Sequence, residues 1–174
     1  MINIYTDGSS RGNPGPGGYG IVMLYKDKRK ELSQGYRLTT NNRMELTAVI
    51  KALEAIKNNK IEITIYSDSK YVVESIEKGW IWNWEKKNFK KKLNSDLWKI
   101  FIPLYKKFKI KFKWVKGHSG NVENERCDEL ANKAQEKELL IETKKLSLLK
   151  LTTRRYFFSF LFIFLLSINE FARG

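Results

Sequence analysis

The sequence predicts an α/β fold: a mixed five-stranded sheet, built from an antiparallel meander plus parallel strands and flanked by helices. Three observations predict it. Residues 1–39 carry β-branched and aromatic runs between turn signals, residues 40–59 switch to a helical stripe, and strand-like and helical stretches alternate thereafter. That order, β-β-β-α-β-α-β-α, needs helical crossovers between parallel strands.

The first strands fall near residues 2–7, 19–26 and 31–39, separated by a Gly/Pro run and by the polar "KDKRK". The run "YTDGSSRGNPGPGGYG" contains G-x-G-x-x-G from Gly15 to Gly20. Such a pattern cradles phosphate only where a strand precedes it and a helix opens within it. Here "YGIVMLYKD" continues as another strand, and no Lys-Ser or Lys-Thr pair follows. The run therefore reads as a reversing turn, with Pro14 and Pro16 fixing φ and the glycines supplying positive φ. Asp7 stands where the first strand runs out.

In "TTNNRMELTAVIKALEAIKNN", Leu46, Val49, Ile50, Leu53 and Ile56 share one helical stripe, with Thr40 or Asn41 as cap and Asn58-Asn59 as the close. "IEITIYS" alternates Ile61, Ile63 and Ile65 as a fourth strand, and Asp68 ends it. Two short helices over 69–78 and 80–86 break at Gly79, and "EKKNFKKKLNSD" follows as a basic loop. "DLWKIFIPLYKKF" is a helix that Pro103 is expected to interrupt, since proline removes a donor. "KIKFKWV" is a fifth strand with Lys109, Lys111 and Lys113 on a wet face, "KGHSGNVEN" a loop and "VENERCDELANKAQEK" the last helix of the domain. Open sheets of this order bind ligands beyond the C-terminal ends of parallel strands, where Asp7 and Asp68 both sit.

Composition narrows the partner. Of 174 residues 42% are hydrophobic, enough for one domain with an appendage, placed at 1–138 and 139–174. Lys plus Arg is 33 against 19 acids, a formal +14 that suits a polyanion. Cys127 is the only cysteine, which excludes an intramolecular disulfide and a cysteine-built zinc site. With no apolar leader at the N-terminus, a cytoplasmic location is expected.

Four acids stand out: Asp7, Glu45, Asp68 and Asp128. Singly each has an ordinary explanation. Glu45 near a helix start contributes about 0.3–1 kcal/mol through the dipole alone, and "SDS" around Asp68 caps a helix as readily as it does chemistry. Together they say more. If the strands ending in Asp7 and Asp68 are parallel neighbours, their carboxylates repel unless a cation intervenes. A pair of hard divalent cations about 4 Å apart answers that need and activates water against a phosphodiester.

"YTDGSSRGNPGPGGYG", "TTNNRMEL", "YSDSKYV", "WVKGHSG" and "NERCDELA", in this order and spacing, closely resemble ribonuclease H type 1, the bacterial ribonuclease HI family. The resemblance covers residues 1–137 and implies a ribonuclease H-like sheet. It also implies cleavage of the RNA strand of RNA–DNA hybrids to 5′-phosphate and 3′-hydroxyl ends, with two Mg²⁺ ions (Mn²⁺ substituting) held by Asp7, Glu45, Asp68 and Asp128. It gives His118, the only histidine, a part in proton transfer or product release. Cys127, about 100° around the helix from Asp128, reads as a small buried residue rather than a nucleophile.

The same resemblance places Gly8, Ser9, Ser10, Asn13, Asn41 and Asn42 along the minor groove of the hybrid, with Thr40 and Arg43 at phosphates. Near Glu45 the ribose 2′-hydroxyl distinguishes RNA from DNA. Lys86, Lys87, Lys90, Lys91 and Lys92, interleaved with Trp80, Trp84 and Phe89, resemble a basic protrusion that grips the DNA strand. A solvated lysine face is the ordinary alternative. The expected partner is the hybrid alone, bound by a monomer. Two rival functions stay open: a hybrid-binding module without catalysis, and a DNA-cutting nuclease of the same fold.

The resemblance stops near residue 138. "YFFSFLFIFLLSI", residues 156–168, is uncharged and apolar. Thirteen helical residues span about 20 Å, short of a bilayer core of about 30 Å, so membrane association is not favoured. An interfacial helix, a packed segment and an unselected continuation stay open, and the tail is expected to be dispensable for catalysis.

Overall fold

The computed structural model describes residues 1–141 and 143–145; the apolar segment 156–168 lies outside them. The chain divides into units Met1–Glu138 and Leu139–Gly174, and the fold below is that of the first. Strands β1 (Ile2–Ser10), β2 (Gly15–Tyr25) and β3 (Lys28–Thr39) form the meander. Helix α1 (Asn41–Glu54) crosses to β4 (Ile63–Ser67). α2 (Lys70–Glu77), α3 (Trp80–Lys86) and α4 (Ser95–Lys107) lead to β5 (Ile110–Trp114), and α5 begins at residue 122. Sheet order is β3-β2-β1-β4-β5, antiparallel on the meander side and parallel from β1 through β4 to β5.

One face of the sheet, through Ile2, Ile4, Ile21, Ile63 and Ile65, packs with the α1 stripe Leu46, Val49, Ile50 and Leu53 and with Trp98, Phe101 and Ile102 of α4. Each of these side chains is buried, and full burial of a large apolar side chain contributes about 1.5–3 kcal/mol. α5 lies on the opposite face of the meander, where Gly18, Gly20 and Gly35 meet the backbone of Ala131, Cys127 and Ala134. Arg126 of α5 and Arg29 share Glu31, stapling helix to sheet edge at the surface.

The Gly/Pro run differs from its expected form. β1 and β2 extend into it, leaving only residues 11–14 as the turn, and within the run only Gly12 has positive φ, at 89°. Pro16 sits at a register shift between Gly15 and Gly17, a place where a missing strand donor is tolerated. The other glycines serve close approach. A Cβ on Gly8 would lie 2.2 Å from the Glu45 backbone nitrogen, and one on Gly20 would lie 2.0 Å from the Cys127 carbonyl oxygen.

Three further expectations change. α1 closes at Ala55, whose N–H bonds the Lys51 carbonyl, several residues before Asn58-Asn59. Thr40 holds the N-cap position in extended conformation without a side-chain bond. α4 runs through Pro103 unbroken; Pro103 and Lys99 both lie on the exposed side, where the carbonyl that the proline leaves free is open to solvent. On β5, Trp114 is 46% exposed although it shares a face with buried Phe112. Its indole N–H donates to the Asp68 carbonyl at 3.0 Å.

Gly20→Ala is expected to destabilise the fold by about 2–4 kcal/mol, since backbone rather than a flexible side chain blocks the new methyl. Urea unfolding checks this; a midpoint equal to that of the parent would contradict the close approach of α5.

Candidate active site

Asp7 lies on β1 opposite Gly20 of β2, and the parallel pairing Thr6↔Ser67 brings Asp68 beside it at the end of β4. The two glycine approaches then bring in the helices. Gly8 admits the α1 backbone at Glu45, and Gly20 admits α5 at Cys127, next to Asp128. A third glycine, Gly117, lies beside the same carboxylate: a Cβ on it would lie 2.6 Å from Asp68 Oδ2, so the loop bearing His118 runs close to Asp68. His118 itself is exposed, with φ 50°.

The ordinary explanations for Glu45 and Asp68 do not account for them. The cap of α2 is Ser69, whose Oγ accepts the Val72 N–H at 3.2 Å, so Asp68 is free of that duty. Glu45 lies beyond the first turn of α1. Its carboxylate accepts from Ser69 Oγ at 2.5 Å and from Asn41 Nδ2 at 2.9 Å.

Each acid is tied by an uncharged donor. Gly8 N–H donates to Asp7 Oδ1 at 2.7 Å, Asn124 Nδ2 to Asp68 Oδ2 at 3.2 Å and Asn132 Nδ2 to Asp128 Oδ1 at 2.8 Å. Neutral donors orient a carboxylate without cancelling its charge. Burial, then the charge of Asp68, with smaller contributions from Asp128 and Glu45, pushes Asp7 up to about 8 against the Gly8 hydrogen bond. Burial and Asp68 also raise Glu45. The four acids thus feel one another's fields.

Among the described residues no three His, Cys, Asp or Glu side chains already converge as a ligand set. Each carboxylate is instead hydrogen-bonded to its own neutral donors. The chemistry of the donors nevertheless fits a hard cation: all are carboxylate oxygens, and the rise of Asp7 comes from burial first and then from neighbouring negative charge that a dication would neutralise. Cys127 is fully buried and burial pushes its thiol up, which leaves it inert.

The expected substrate residues divide. Gly8, Ser9 and Ser10 are in β1, with Ser9 Oγ turned to Asn132 and Gln135 of α5 and Ser10 Oγ bonded to the Gly12 carbonyl. Asn13, Asn41 and Asn42 are exposed around the carboxylates' side of β1 and α1, while Thr40 is half-buried at the cap. Arg43 is not a free arm: its guanidinium holds both Asp96 oxygens, at 2.9 and 2.6 Å. Lys86, Lys87, Lys90, Lys91 and Lys92 are all exposed. The loop carrying them is wound by positive φ at Asn88, Phe89, Lys91 and Asn94. Of its aromatics, Trp80 is 41% exposed beneath Lys78, Trp84 packs on Trp98 under Lys92, and Phe89 is core.

The sequence reading missed Ser69, Asn124, Asn132 and Gln135. For two of them the signal was present: Asn124, Asp128 and Asn132 are spaced by four, one stripe of a helix.

The ribonuclease H family model matches residues 1–136. The chain belongs to the RNase H family. Among curated members, the ribonuclease H of Trichodesmium erythraeum is 54% identical over 141 residues, covering 78% of this chain and 89% of that protein. The ribonuclease HI of Helicobacter pylori is 51% identical over 142 residues, covering 82% and 98%. Among solved RNase H structures, a type 1 enzyme with the type 2 active-site motif superposes with TM-score 0.71 at 29% identity, over 79% of this chain and 72% of that one. A second, crystallised in complex with RNA/DNA hybrid, gives TM-score 0.63 at 29% identity, over 80% and 99%.

The linkage sign for Asp7 follows from its displacement. Folded Asp7 titrates near 8 against 3.8 in the unfolded chain, so between those values the folded state binds the extra proton and stability falls as pH rises. In EDTA, Asp7→Asn is therefore expected to raise the thermal midpoint by about 5 °C or more near pH 8.5 and by clearly less near pH 5. Equal shifts at both pH values would remove Asp7 from the charged cluster.

Proposed function

We propose that the chain cleaves the RNA strand of RNA–DNA hybrids endonucleolytically, leaving 5′-phosphate and 3′-hydroxyl ends. The observation that carries this is the gathering of Asp7, Glu45, Asp68 and Asp128 around the central strands β1 and β4, toward their C-terminal ends, in a chain of formal charge +14. Two divalent cations, Mg²⁺ in the first instance, supply an activated water and charge stabilisation at the leaving oxygen when bound there. The chain's own part is to orient the acids: Gly8 N–H, Asn124 and Asn132 each hold one oxygen of Asp7, Asp68 and Asp128 and leave the other for coordination, while Asn41 and Ser69 fix Glu45 through its Oε1 and Oε2.

His118, exposed on a loop running close to Asp68, is placed to exchange protons with solvent as product leaves. Backbone near Gly8 and the side chains of Asn13, Asn41 and Asn42 read the minor groove, and the five lysines from Lys86 to Lys92 grip the opposing strand. Arg43 reaches a phosphate by exchanging Asp96 for it. The catalytic unit is residues 1–138, acting as a monomer in the cytoplasm without an obligate protein partner. Among the described residues no helix is long and apolar enough to cross a membrane.

An end-labelled RNA paired in turn with DNA and with RNA, given Mg²⁺ or EDTA, tests the reading. Cleavage is expected only of the hybrid, only with metal, and at least about a thousandfold more slowly for Asp7→Asn. Cutting of DNA, or metal-independent binding without cutting, would replace the proposal with one of its rivals. Alanine at Lys86, Lys87, Lys90, Lys91 and Lys92 together should flatten the salt dependence of hybrid binding, by up to about 0.9 log units of affinity per decade of salt for each phosphate no longer neutralised; an unchanged slope would make that loop a solvated face.

A further inference from the structure

The carboxylate-bearing face of β1 carries a second contact to α5. Ser9 stands two residues from Asp7 on the same strand, and alternation puts both side chains on one face. Ser9 Oγ is 2.9 Å from Asn132 Oδ1 and 2.8 Å from Gln135 Oε1. Asn132 passes its other end on, donating from Nδ2 to Asp128 Oδ1 at 2.8 Å. Gln135, 3% exposed, donates from Nε2 to the Pro16 carbonyl at 3.1 Å, which fixes which way its amide faces.

We propose that Asn132 is a positioning residue that sets the orientation of Asp128 relative to Asp7, using Ser9 as its anchor on β1. This assignment rests on the metal-holding reading of the four acids. Asp7 and Asp128 come from elements that share no backbone hydrogen-bond ladder, and the glycine contact at Gly20 fixes only the distance between strand and helix. Rotation of the Asp128 carboxylate about its own side-chain bonds is not restrained by that contact. Asn132 restrains it: four residues on, it lies over Asp128 on the helix face, donating from Nδ2 to Asp128 while its Oδ1 stands within reach of the Ser9 hydroxyl.

A serine hydroxyl has one proton, so it donates to only one of its two carbonyl neighbours at a time. Gln135 is locked by Pro16, whereas Asn132 is locked only by the carboxylate it serves. Asn132 is thus the adjustable member, and its grip on Asp128 is the link that a substitution would break. With Oδ1 held in this way, the other oxygen of Asp128 would be the one available to a cation, the usual work of a neutral partner behind a ligand.

The test uses the full chain and Mg²⁺ alone. Thermal midpoints are followed across a Mg²⁺ titration without nucleic acid, and hybrid cleavage is followed across the same range. Asn132→Ala is expected to raise the Mg²⁺ concentration for half-maximal stabilisation by about tenfold or more, while the midpoint in EDTA stays close to that of the parent. Cleavage should fall at low Mg²⁺ and recover toward the parental rate as Mg²⁺ is raised, with KM for the hybrid unchanged.

A purely structural role would instead lower the EDTA midpoint and depress cleavage at every Mg²⁺ concentration. Ser9→Ala, which removes the anchor but not the amide, should move the Mg²⁺ midpoint in the same direction by a smaller factor, and it serves as the test if Asn132→Ala does not fold. A Mg²⁺ midpoint within twofold of the parent in a folded variant overturns the assignment. No stabilisation of the parent by Mg²⁺ would overturn it together with the metal-holding reading, so the two failures are told apart.

Discussion

The fold depends on bringing like charges together, and what permits it is the absence of side chains at Gly8 and Gly20. These residues flank Asp7, one along the strand and one across it. Each lets a helix backbone approach β1 or β2 so closely that any Cβ would overlap it. α1 thereby delivers Glu45 and α5 delivers Asp128, while the parallel β1–β4 pairing delivers Asp68. The apolar stripe of α1 and the core beneath it supply the free energy that holds these approaches closed. The gathering of the four carboxylates and the packing are therefore one construction.

Gathering four acids has a cost that the protein leaves uncancelled. Arginine and lysine would have neutralised the cluster, yet the side chains that tie the carboxylates are a serine and three asparagines, with one backbone N–H. The arginines near the sheet pair elsewhere: Arg43 with Asp96, Arg29 and Arg126 with Glu31. Burial, with the neighbouring acids adding to it, holds Asp7 near 8, half-ionised at a pH where an ordinary aspartate is fully charged. A dication bound beside it would favour the ionised form.

Much of this was legible in the sequence, and the reasons for the rest are physical. The five-strand order, the α1 stripe and the break at Gly79 followed from periodicity and punctuation. Asp68 announced itself as a strand end, whereas Asp7, read as another, lies within β1, which continues to Ser10. The glycines of the first turn suggested positive φ, because local patterns describe a chain's own conformation and not the helix that will later press on it. Pro103 misled for a similar reason, since its cost depends on which side of α4 meets water. Asn124 and Asn132 were visible as a stripe with Asp128, but an asparagine on a helix carries no chemistry until its partner across space is known. Ser9, expected at the groove, is turned inward to α5.

The measurement that goes most directly to the central claim is proton release on Mg²⁺ binding, by calorimetric titration of the nucleic-acid-free protein in two buffers of different ionisation heat. With Asp7 near 8, binding at about pH 7 is expected to release close to one proton per protein, and the release should fall toward zero above about pH 9. Binding that releases no proton at pH 7 would contradict the claim, because Asp7 would then already be ionised without the cation, and the burial and neighbouring charge said to raise it would not be acting on it.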